Sequence, residues 1–545
     1  MDDKATPSGE SLGVERLTEC LKRPSAYGEL EHEIGFLQTH ISLLFFAGKR
    51  VYKIKKPVDF GFLDFTSLTK RKLFCDEEVR LNRRLAPEIY LGVVPITRSS
   101  AGTLHVNGVG EVVEWAVEMV RLPEHRMFSS LLERGEIDNQ QMNSLASLIA
   151  EFHGSCPTGQ DVDPYGAPAV IEGNHKENFE QLQDYVAHSD RSPAVALQVL
   201  SAAQHEFLSR NAQTFFSEQR ELLLRRVNEH RVREGHGDLH AGNICFAEDG
   251  IVAYDCIEFS RRFRCGDVAS ELAFLAMDLD YRGYPSFGTY LVKRYAQICG
   301  DAELEKLEPF YKCYRAVVRG KVTALTASDP AIRAARRAEL RLEAMRYLQL
   351  AVGYHLPPVL ILMCGLPACG KSWLAKRLKR PLRASLLRSD VRRKRMPDVA
   401  RGTQEDGQYG KGLYSEQRKA STYDSLLENA VELLQANRSV VLDATFSRSQ
   451  YRAPFLEAAN RLGFKCLLVH VKAADEIIRE RLQVRENDPH CVSDAGLEVY
   501  QQELQRFEPP AELPAHQVLE LSSGIASAEE HCSAVIDGLI AVQGP

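Results

Sequence analysis

Cysteine is scarce in this sequence, and its spacing excludes two common kinds of small domain. The chain has 13 cysteines in 545 residues, and no two of them form a Cys-x-x-Cys pair. Disulfide frameworks need a higher density of cysteines, and zinc ribbons need Cys-x-x-Cys pairs. We therefore expect reduced thiols and a cytoplasmic protein.

Long apolar runs are absent as well. The longest strongly apolar stretch, residues 359–366, is far shorter than the roughly 20 residues that a membrane helix needs. The first ten residues are polar and carry two aspartates instead of a basic region, so we expect no signal peptide. These two absences predict a protein without a membrane-spanning segment.

The sequence has no large excess of either charge. The formal net charge is −6 at pH 7, with 68 Lys and Arg against 74 Asp and Glu. A protein whose whole surface binds nucleic acid would carry a positive excess. Nucleic acid is therefore not the favoured partner, although a local basic cluster such as residues 388–395 still allows it.

The length of the chain and a pair of prolines predict several domains. At about 100–200 residues per domain, the chain has room for two to four. Pro357-Pro358 separates a helical pattern from a fully apolar strand pattern, and we place the boundary near residue 350. The predicted segments are a polar N-terminal segment 1–27, a first domain 28–350 with lobes of about 28–122 and 123–350, a linker 351–357 and a second domain 358–545.

The strongest motif directly follows that apolar strand pattern. It is a Gly-x-x-x-x-Gly-Lys-Ser loop, and the helical pattern 373–378 comes after it. In such a loop, backbone N–H groups approach phosphate oxygens, the lysine reaches the β- and γ-phosphates, and the serine hydroxyl ligates Mg²⁺. The predicted nucleotide-binding residues are Gly365, Leu366, Pro367, Ala368, Cys369, Gly370, Lys371 and Ser372.

Other residues of the second domain also fit phosphoryl transfer. Asp443 ends an apolar strand pattern and is a candidate metal ligand, with a helix-capping role as the alternative. Asp390, at a predicted strand end, is suited to accept a proton from an attacking hydroxyl, and Arg393 to hold a phosphate or the substrate. The helix that carries Arg481 and Arg485 is either a plain amphipathic helix or a lid over the γ-phosphate.

Together these motifs resemble the small P-loop kinases of the zeta-toxin, polynucleotide-kinase and gluconate-kinase type. The similarity covers roughly residues 358–510. It implies that Asp390 is the hydroxyl-activating base and that Arg393 contacts the substrate or its phosphate. It also implies ATP or another nucleoside triphosphate with Mg²⁺. The acceptor stays open, because acceptors in this family range from sugars to nucleic-acid ends.

The first domain contains a second phosphotransfer pattern. Asp238 and Asn243 lie five residues apart in a loop that contains three glycines, residues 235–243, which we call the glycine-punctuated loop. Asp255 follows a short β run farther along the chain. This spacing suits a carboxylate, Asp238, that orients or deprotonates an acceptor hydroxyl. It also suits two ligands, Asn243 and Asp255, for a metal that bridges the phosphates.

This loop is similar to the His-Gly-Asp-x-x-x-x-Asn catalytic loop of the aminoglycoside-phosphotransferase and choline-kinase branch of the protein-kinase-like fold. The similarity spans roughly residues 28–325. It implies a strand lysine for the α- and β-phosphates, either Lys53 or Lys55, held by Glu78 on a helix. It also implies that Asp267 buttresses the catalytic loop, with a purely structural role as the alternative.

Two features depart from protein kinases. The hairpin turn at residues 47–50 lacks a Gly-x-Gly-x-x-Gly sequence, which disfavours protein-kinase activity. Asp59-Phe60-Gly61 resembles the kinase metal motif, but it precedes the catalytic loop, so we interpret Asp59 as a turn residue.

The sequence thus predicts an α+β bilobal protein-kinase-like domain followed by an α/β P-loop domain with a parallel sheet. The predicted function is transfer of the γ-phosphoryl group of ATP to hydroxyl groups of small-molecule acceptors at two sites. Two alternatives stay open: one domain is a non-catalytic nucleotide-binding regulatory module, or the second domain phosphorylates nucleic-acid 5′ ends. The acceptors are not predicted, because a fold does not determine its substrate.

Overall fold

A computed structural model of the protein describes residues 13–28, 33–61, 63–187, 197–395, 416–486, 496–524 and 526–544. Contacts divide the chain into two units, and each unit combines two stretches of sequence. Unit 1 consists of Met1–Glu172 and Gln219–Tyr311, and unit 2 consists of Gly173–Glu218 and Lys312–Pro545.

The strands and helices are named in chain order. The strands are β1 (Gly35–Gln38), β2 (Ser42–Ala47), β3 (Arg50–Lys55), β4 (Tyr90–Arg98), β5 (Leu104–Val106), β6 (Glu111–Val120), β7 (Val186–Ala187), β8 (Leu200–Ser201), β9 (Val232–Glu234), β10 (Ile244–Ala247), β11 (Gly250–Ala253), β12 (Cys265–Asp267), β13 (Val359–Cys364), β14 (Ser385–Arg388), β15 (Val440–Asp443), β16 (Lys465–Lys472) and β17 (Val518–Ser522). The helices are α1 (Val14–Leu21), α2 (Leu68–Asn82), α3 (Phe128–Arg134), α4 (Asn139–Ser155), α5 (Pro168–Leu182), α6 (Ala202–Glu218), α7 (Arg220–Asn228), α8 (Arg261–Arg264), α9 (Val268–Arg282), α10 (Pro285–Cys299), α11 (Leu304–Ala327), α12 (Ala334–Gly353), α13 (Lys371–Leu378), α14 (Ser389–Arg395), α15 (Glu416–Gln435), α16 (Ser449–Leu462), α17 (Asp475–Glu486), α18 (Leu497–Gln505) and α19 (Ala528–Gln543).

Unit 1 contains a six-stranded sheet in the order β1-β2-β3-β6-β4-β5, with antiparallel neighbours throughout. Successive side chains of a strand point to opposite faces. One face of the sheet packs against α1, with Leu43, Phe45 and Ile54 in that core, and Cys75 and Val79 of α2 pack against the other face. The predicted hairpin of β2 and β3 and the predicted helix α2 are both confirmed.

The remainder of unit 1 is mainly helical around one short hairpin. β10 and β11 form this hairpin, directly after the glycine-punctuated loop. Every residue from Val268 to Asp280 in α9 is buried; nine of these thirteen residues are apolar, and the four polar ones are Ser270, Glu271, Asp278 and Asp280. Helix α9 begins directly after β12, at Val268.

Unit 2 is built around a five-stranded parallel sheet in the order β14-β15-β13-β16-β17. The central strand, β13, has all six of its residues buried. A strand that is covered on both faces reads as a continuous apolar run, which is the pattern of residues 359–364. The predicted parallel sheet is confirmed.

The division by contacts differs from the boundary predicted near residue 350. Helix α12 crosses that position, and two of its arginines pair with α19: Arg341 with Glu530 at 3.2 Å and Arg346 with Glu529 at 2.7 Å. Both glutamates lie in the first turn of α19, so α12 belongs with unit 2. Among the described residues, no helix is both long and apolar enough to cross a membrane.

Candidate active sites

In unit 1, the glycine-punctuated loop leads into the β10–β11 hairpin, which sets the position of its polar residues. The hairpin begins where Ile244 pairs with Ala253. Just outside this pair, the Tyr254 N–H donates to the Asn243 carbonyl at 3.0 Å. The open end of the hairpin therefore brings Asn243 and Asp255 close in the backbone, as two ligands of one metal would need.

Asp238 and Asn243 are in direct contact. The Asn243 amide nitrogen donates to the Asp238 carbonyl at 3.1 Å and lies 3.3 Å from its carboxylate Oδ2. Asn243 is buried, whereas 32% of the Asp238 side chain is exposed. The loop therefore holds the Asp238 backbone in place while its carboxylate stays accessible.

Lys53 on β3 lies between two carboxylates. Its ammonium contacts Glu78 Oε1 at 2.7 Å and Asp255 Oδ1 at 2.5 Å. Burial opposes the charge of Lys53, but Asp255 and Glu78 outweigh it and raise the pKa of Lys53 well above its usual value. Burial also opposes the charge of Glu78, and the neighbouring lysines still lower the pKa of Glu78 to about 2. Lys53 and Glu78 are therefore both charged at neutral pH.

Lys55 belongs to the same network. It shares a face of β3 with Lys53, as the two-residue spacing predicts, and its ammonium contacts Glu78 Oε2 at 2.7 Å. Its second partner is Glu258. Since Lys53 is the lysine that contacts Asp255, the geometry favours Lys53 over Lys55 for contact with phosphate.

The backbone at Asp255 has a conformation that is uncommon for a residue other than glycine, with φ of 66°. Two side chains hold it there. The Asp255 N–H donates to the Tyr90 hydroxyl at 3.1 Å, and the Cys256 N–H donates to Asn82 Oδ1 at 2.8 Å. These bonds aim the Asp255 carboxylate at Lys53.

A carboxylate that the sequence analysis missed supports the glycine-punctuated loop. Glu271 of α9 accepts the N–H groups of His236 and Gly237 at 2.7 and 2.8 Å, and its other oxygen lies 2.9 Å from His153 Nε2. Burial opposes the charge of Glu271, but these partners lower its pKa to about 2. An acidic residue in an apolar, buried helix was the available sequence signal.

Asp267 is not the buttress that the resemblance implied. Its carboxylate binds Arg226 at 2.6 and 2.8 Å and accepts the Ala269 N–H at 2.8 Å. It therefore caps the start of α9, whereas Glu271, one turn later, reaches the loop. Asp59 accepts the Gly61 N–H at 2.8 Å, which confirms its interpretation as a turn residue.

In unit 2, the Gly-x-x-x-x-Gly-Lys-Ser sequence at residues 365–372, called the phosphate loop below, leads from the end of the central strand β13 into α13. Gly365 and Gly370 have φ of 140° and 113°, a region that residues with side chains rarely adopt. A Cβ at Gly365 would clash with the Val471 carbonyl oxygen. The predicted loop between a buried strand and a helix is confirmed.

Lys371 folds back over this loop. Its ammonium donates to the Leu366 carbonyl at 2.7 Å and lies 3.7 Å from Cys369 Sγ. Ser372 follows in the first turn of α13, where the positive end of the helix dipole favours anions. One ammonium group and the amides of a helix N-terminus thus surround a single loop, an arrangement suited to phosphate.

Asp443 lies beside the phosphate loop. It ends β15, and just beyond it the Thr445 carbonyl accepts the Gly365 N–H at 3.1 Å. The Asp443 carboxylate is buried and accepts a bond from Arg388 Nε at 3.1 Å. Since the next helix, α16, begins only at Ser449, the helix-capping alternative for Asp443 is wrong.

Asp390 and Arg393 lie together on α14. Arg393 Nη1 is 3.5 Å from Asp390 Oδ1, and Arg392 Nε donates to Ser425 Oγ at 2.6 Å. Asp390 was expected at a strand end, but it occupies the first turn of the helix that follows β14. Because Arg388 contacts Asp443, three arginines of the basic run at 388–395 contact side chains of unit 2 itself.

The arginines of α17 differ from one another. Arg481 Nη1 donates to the Ala368 carbonyl in the phosphate loop at 3.1 Å and to Ser523 Oγ at 3.0 Å. Arg479 instead pairs with Asp475 on its own helix at 2.6 Å. The Arg485 side chain lies outside the described residues. Arg481 is therefore the lid candidate that contacts the loop.

No ready-made metal cage is present in the described part of the chain. None of its His, Cys, Asp and Glu side chains form a group of three or more that could hold a metal ion. Mg²⁺ that binds together with a nucleotide needs only one or two carboxylates, because phosphate oxygens and water complete its shell. Asp255 and Asn243 in unit 1, and Asp443 and Ser372 in unit 2, have suitable oxygen donors.

Comparison with the sequences of known proteins shows which family the chain belongs to. The chain is 31% identical over 418 residues to the Uncharacterized protein Rv2004c of Mycobacterium tuberculosis, and the match covers 76% of this chain and 79% of that protein. The chain belongs to the family of Rv2004c. In this Rv2004c-family chain, residues 360–510 match a family model described as an AAA domain. The matched range contains the phosphate loop, Asp390, Asp443 and Arg481.

Solved structures match with low scores. A choline/ethanolamine kinase family protein from Mesorhizobium loti covers 62% of this chain and 94% of its own, at 13% identity and a TM-score of 0.37. A putative kinase from Chloroflexus aurantiacus covers 33% of this chain and 96% of its own, at 20% identity and a TM-score of 0.27. At these scores neither likeness carries an argument about this chain.

Proposed function

We propose that the protein is an ATP-dependent phosphotransferase with one nucleotide site in each unit. Each site transfers a γ-phosphoryl group to a hydroxyl group of a small molecule. The observation that carries this proposal is the grouping in unit 1, where Lys53 contacts both Glu78 and Asp255 while Asn243 contacts Asp238. The phosphate loop of unit 2 supplies an independent second set.

In unit 1, each group has a chemical role. Lys53 binds phosphate oxygens, and Glu78 keeps its ammonium oriented. Asp255 and Asn243 would hold Mg²⁺, which neutralises the charge that develops on the phosphates. The accessible Asp238 carboxylate orients the acceptor hydroxyl and accepts its proton.

In unit 2, the loop amides and Lys371 bind the phosphates of the nucleotide. Ser372 and Asp443 would hold Mg²⁺ when it is bound. Asp390 is the base for the acceptor hydroxyl, and Arg393, 3.5 Å away, holds that acceptor or its phosphate. Arg481, which contacts the loop carbonyl of Ala368, adds positive charge near the transferred group.

Two single substitutions test the proposal. Asp238→Asn removes the base of unit 1, and Lys371→Ala removes the phosphate-binding lysine of unit 2. The whole chain and both variants, each shown to be folded by circular dichroism, are screened against hydroxyl-bearing metabolites for ATP-dependent phosphorylation. We expect Asp238→Asn to lower the products of unit 1 by at least about 100-fold, the size of a general-base contribution. We expect Lys371→Ala to remove the products of unit 2, because the lysine binds the phosphates of the nucleotide.

The outcomes separate the alternatives. If neither variant changes nucleotide turnover, the proposal is wrong. If Lys371→Ala removes every product and Asp238→Asn removes none, unit 1 is a regulatory module and not an enzyme. A 5′-hydroxyl oligonucleotide in the same screen tests nucleic-acid ends as acceptors for unit 2.

A further inference from the structure

Five charged side chains of unit 1 form one chain of alternating sign. Its order is Asp255, Lys53, Glu78, Lys55 and Glu258. The two oxygens of Glu78 are divided between the lysines, at 2.7 Å each. Glu78 is therefore held from both sides.

This chain of charges closes on itself, because Asp255 and Glu258 belong to the same short segment. The segment is anchored independently, since the Glu258 carbonyl accepts a bond from Arg264 Nη1 at 3.0 Å. Strand β3 contributes both lysines, and α2 contributes Glu78. Three separate elements are thus tied together by one chain of ion pairs, the two ends of which lie in the same segment.

The two ends of the chain differ in access to solvent. The Asp255 side chain is 44% exposed, whereas the side chains of Lys55 and Glu258 are 0% and 4% exposed. A nucleotide can therefore approach the Asp255 end only. Lys55 and Glu258 are sealed from any ligand, so their effect on a reaction must be indirect.

We propose that Lys55 and Glu258 are a positioning pair for Lys53, an inference that rests on the proposed function of unit 1. When Asp255 turns from Lys53 toward a metal ion, Lys53 keeps a single carboxylate partner, Glu78. Lys55 holds the other oxygen of Glu78, and Glu258 holds Lys55, so Glu78 stays in place when Asp255 leaves. The pair thus holds the Lys53 ammonium where phosphate arrives.

The test uses a double substitution, Lys55→Met with Glu258→Met. Removing Lys55 alone would leave Glu258 as an uncompensated buried charge, which is strongly destabilising. Removing both leaves the net charge of the cluster unchanged and replaces the pair with apolar side chains of similar size. The whole chain carrying Lys371→Ala serves as the parent, so that only unit 1 turns over nucleotide.

A matched control is available on the same helix and sheet. Arg71 of α2 and Glu114 of β6 form another buried ion pair, with Nε 3.0 Å from Oε1 and 2.9 Å from Oε2. The double substitution Arg71→Met with Glu114→Met removes this pair instead. A pair with a purely structural role should change folding stability without changing catalysis by the folded protein.

We expect the Lys55/Glu258 variant to lose about tenfold or more of its turnover at saturating ATP, the effect typical of outer-shell partners. The Mg²⁺ concentration for half-maximal rate should rise, and the Arg71/Glu114 control should stay within about twofold of the parent on both measures. If the folded Lys55/Glu258 variant matches the parent in rate and in Mg²⁺ dependence, the positioning role is wrong.

Two further measurements keep the outcome decisive. If the double variant does not fold, Glu258→Gln, which keeps the shape and loses the charge, must still lower turnover and raise the Mg²⁺ requirement; an unchanged Glu258→Gln protein overturns the inference. If adding Asp238→Asn to the Lys371→Ala parent does not lower its turnover, the proposed function of unit 1 is wrong, and this inference is wrong with it. Failure of the inference alone therefore has a different signature.

Discussion

At the scale of single residues, Glu271 connects the fold of unit 1 to its candidate site. It is buried and accepts two backbone N–H groups of the glycine-punctuated loop. A hydrogen bond to a charged group contributes about 1.5–3 kcal/mol, against about 0.5–1.5 kcal/mol for a neutral one. We expect Glu271→Gln to lower the free energy of unfolding of unit 1 by about 1–3 kcal/mol at pH 7, because a neutral amide oxygen then accepts the two N–H groups and an NH₂ group replaces the oxygen that faces His153.

The measurement can be confined to unit 1, because the chain has two tryptophans. Trp115 lies in unit 1 and Trp373 in unit 2, so Trp373→Phe leaves Trp115 as the fluorescent reporter of urea unfolding in unit 1. Glu133→Gln, an exposed change in α3, is the control and should shift stability by less than about 0.5 kcal/mol. A Glu271→Gln protein as stable as this control would contradict the expectation.

The same residue predicts a pH dependence. Its pKa is about 2 in the folded protein, below the usual 4.5, because His153 and the loop N–H groups favour the carboxylate over the acid. A lowered folded pKa means that the contribution to stability is complete above about pH 4.5 and is lost as the pH falls toward 2. Between pH 5 and 2, the difference in unfolding free energy between wild type and Glu271→Gln should shrink. A difference that stays constant over this range would count against this role for Glu271.

Gly365 gives a prediction for the phosphate loop. Its φ of 140° and the nearby Val471 carbonyl leave no room for a Cβ. We expect Gly365→Ala to distort the loop and weaken ATP binding to unit 2 by at least about tenfold, the effect of a contribution near 1.4 kcal/mol. Equilibrium binding of ATP would measure it in a chain that also carries Lys53→Ala, which removes the phosphate-binding lysine of unit 1.

The matched control is Gly173→Ala in α5. No atom lies within 4 Å of the Cβ that this change adds, and alanine is the better helix former, by about 0.5–1 kcal/mol. This variant should bind ATP normally and be slightly more stable. Equal ATP affinity in the Gly365→Ala and Gly173→Ala proteins would show that the loop tolerates the added methyl group.

At the scale of elements, sequence patterns predicted the elements that depend only on residues close together in the chain. The β2–β3 hairpin, α2 and β13 follow from periodicity and length, and the phosphate loop follows from its motif and its flanking elements. The second partner of Lys55, Glu258, could not be predicted in this way, since it lies 203 residues away. The role of Glu271 was missed for the same reason, because it depends on how α9 packs under the loop.

The contact between α6 and α19 gives an element-scale prediction. Asp537 of α19 accepts bonds from Ser201 Oγ at 2.6 Å and from Gln204 Nε2 at 2.8 Å. Burial raises the pKa of Asp537 above its usual 3.8, although both partners oppose the shift. A raised acid pKa means that the folded state favours the neutral form, so ionisation at neutral pH costs stability.

We therefore expect Asp537→Asn to stabilise unit 2 at pH 7, since the asparagine oxygen can accept the same two bonds without a charge. The advantage should disappear below about pH 3.8, where the wild-type carboxyl is protonated in both states. Urea unfolding of the chain carrying Trp115→Phe, followed through Trp373, measures unit 2. A loss of stability at pH 7 would mean that the charge itself holds α6 to α19.

At the scale of the whole molecule, the two units do not correspond to two halves of the sequence. Residues 173–218 belong to unit 2, although they lie within the segment that the sequence analysis assigned to the first domain. Motifs locate active-site residues but carry no information on which helices cover a sheet. The boundary near residue 350 was predicted from Pro357-Pro358 and the change of pattern there, and it differs from the division by contacts, which places α6 and α12 with α19.

This packing predicts how fragments of the chain behave. A fragment 358–545 keeps the phosphate loop and the whole parallel sheet, but it loses every partner that α6 and α12 offer to α19. Gln349 of α12 alone donates to the Glu529 carbonyl at 2.7 Å and to Ser533 Oγ at 3.0 Å. Apolar residues of α12 that are buried in the whole chain, such as Leu348, would no longer cover their neighbours.

We expect a graded series when these helices are restored. The fragment 358–545 should unfold at a lower urea concentration than the fragment 312–545, which regains α12, and the latter should unfold below the corresponding transition of the whole chain, which also has α6. Fluorescence of Trp373 reports all three proteins. Equal urea midpoints for the fragments 358–545 and 312–545 would show that α12 does not stabilise the parallel sheet. In that case the boundary predicted from the sequence would describe the unit that folds, despite the contacts of α12 with α19.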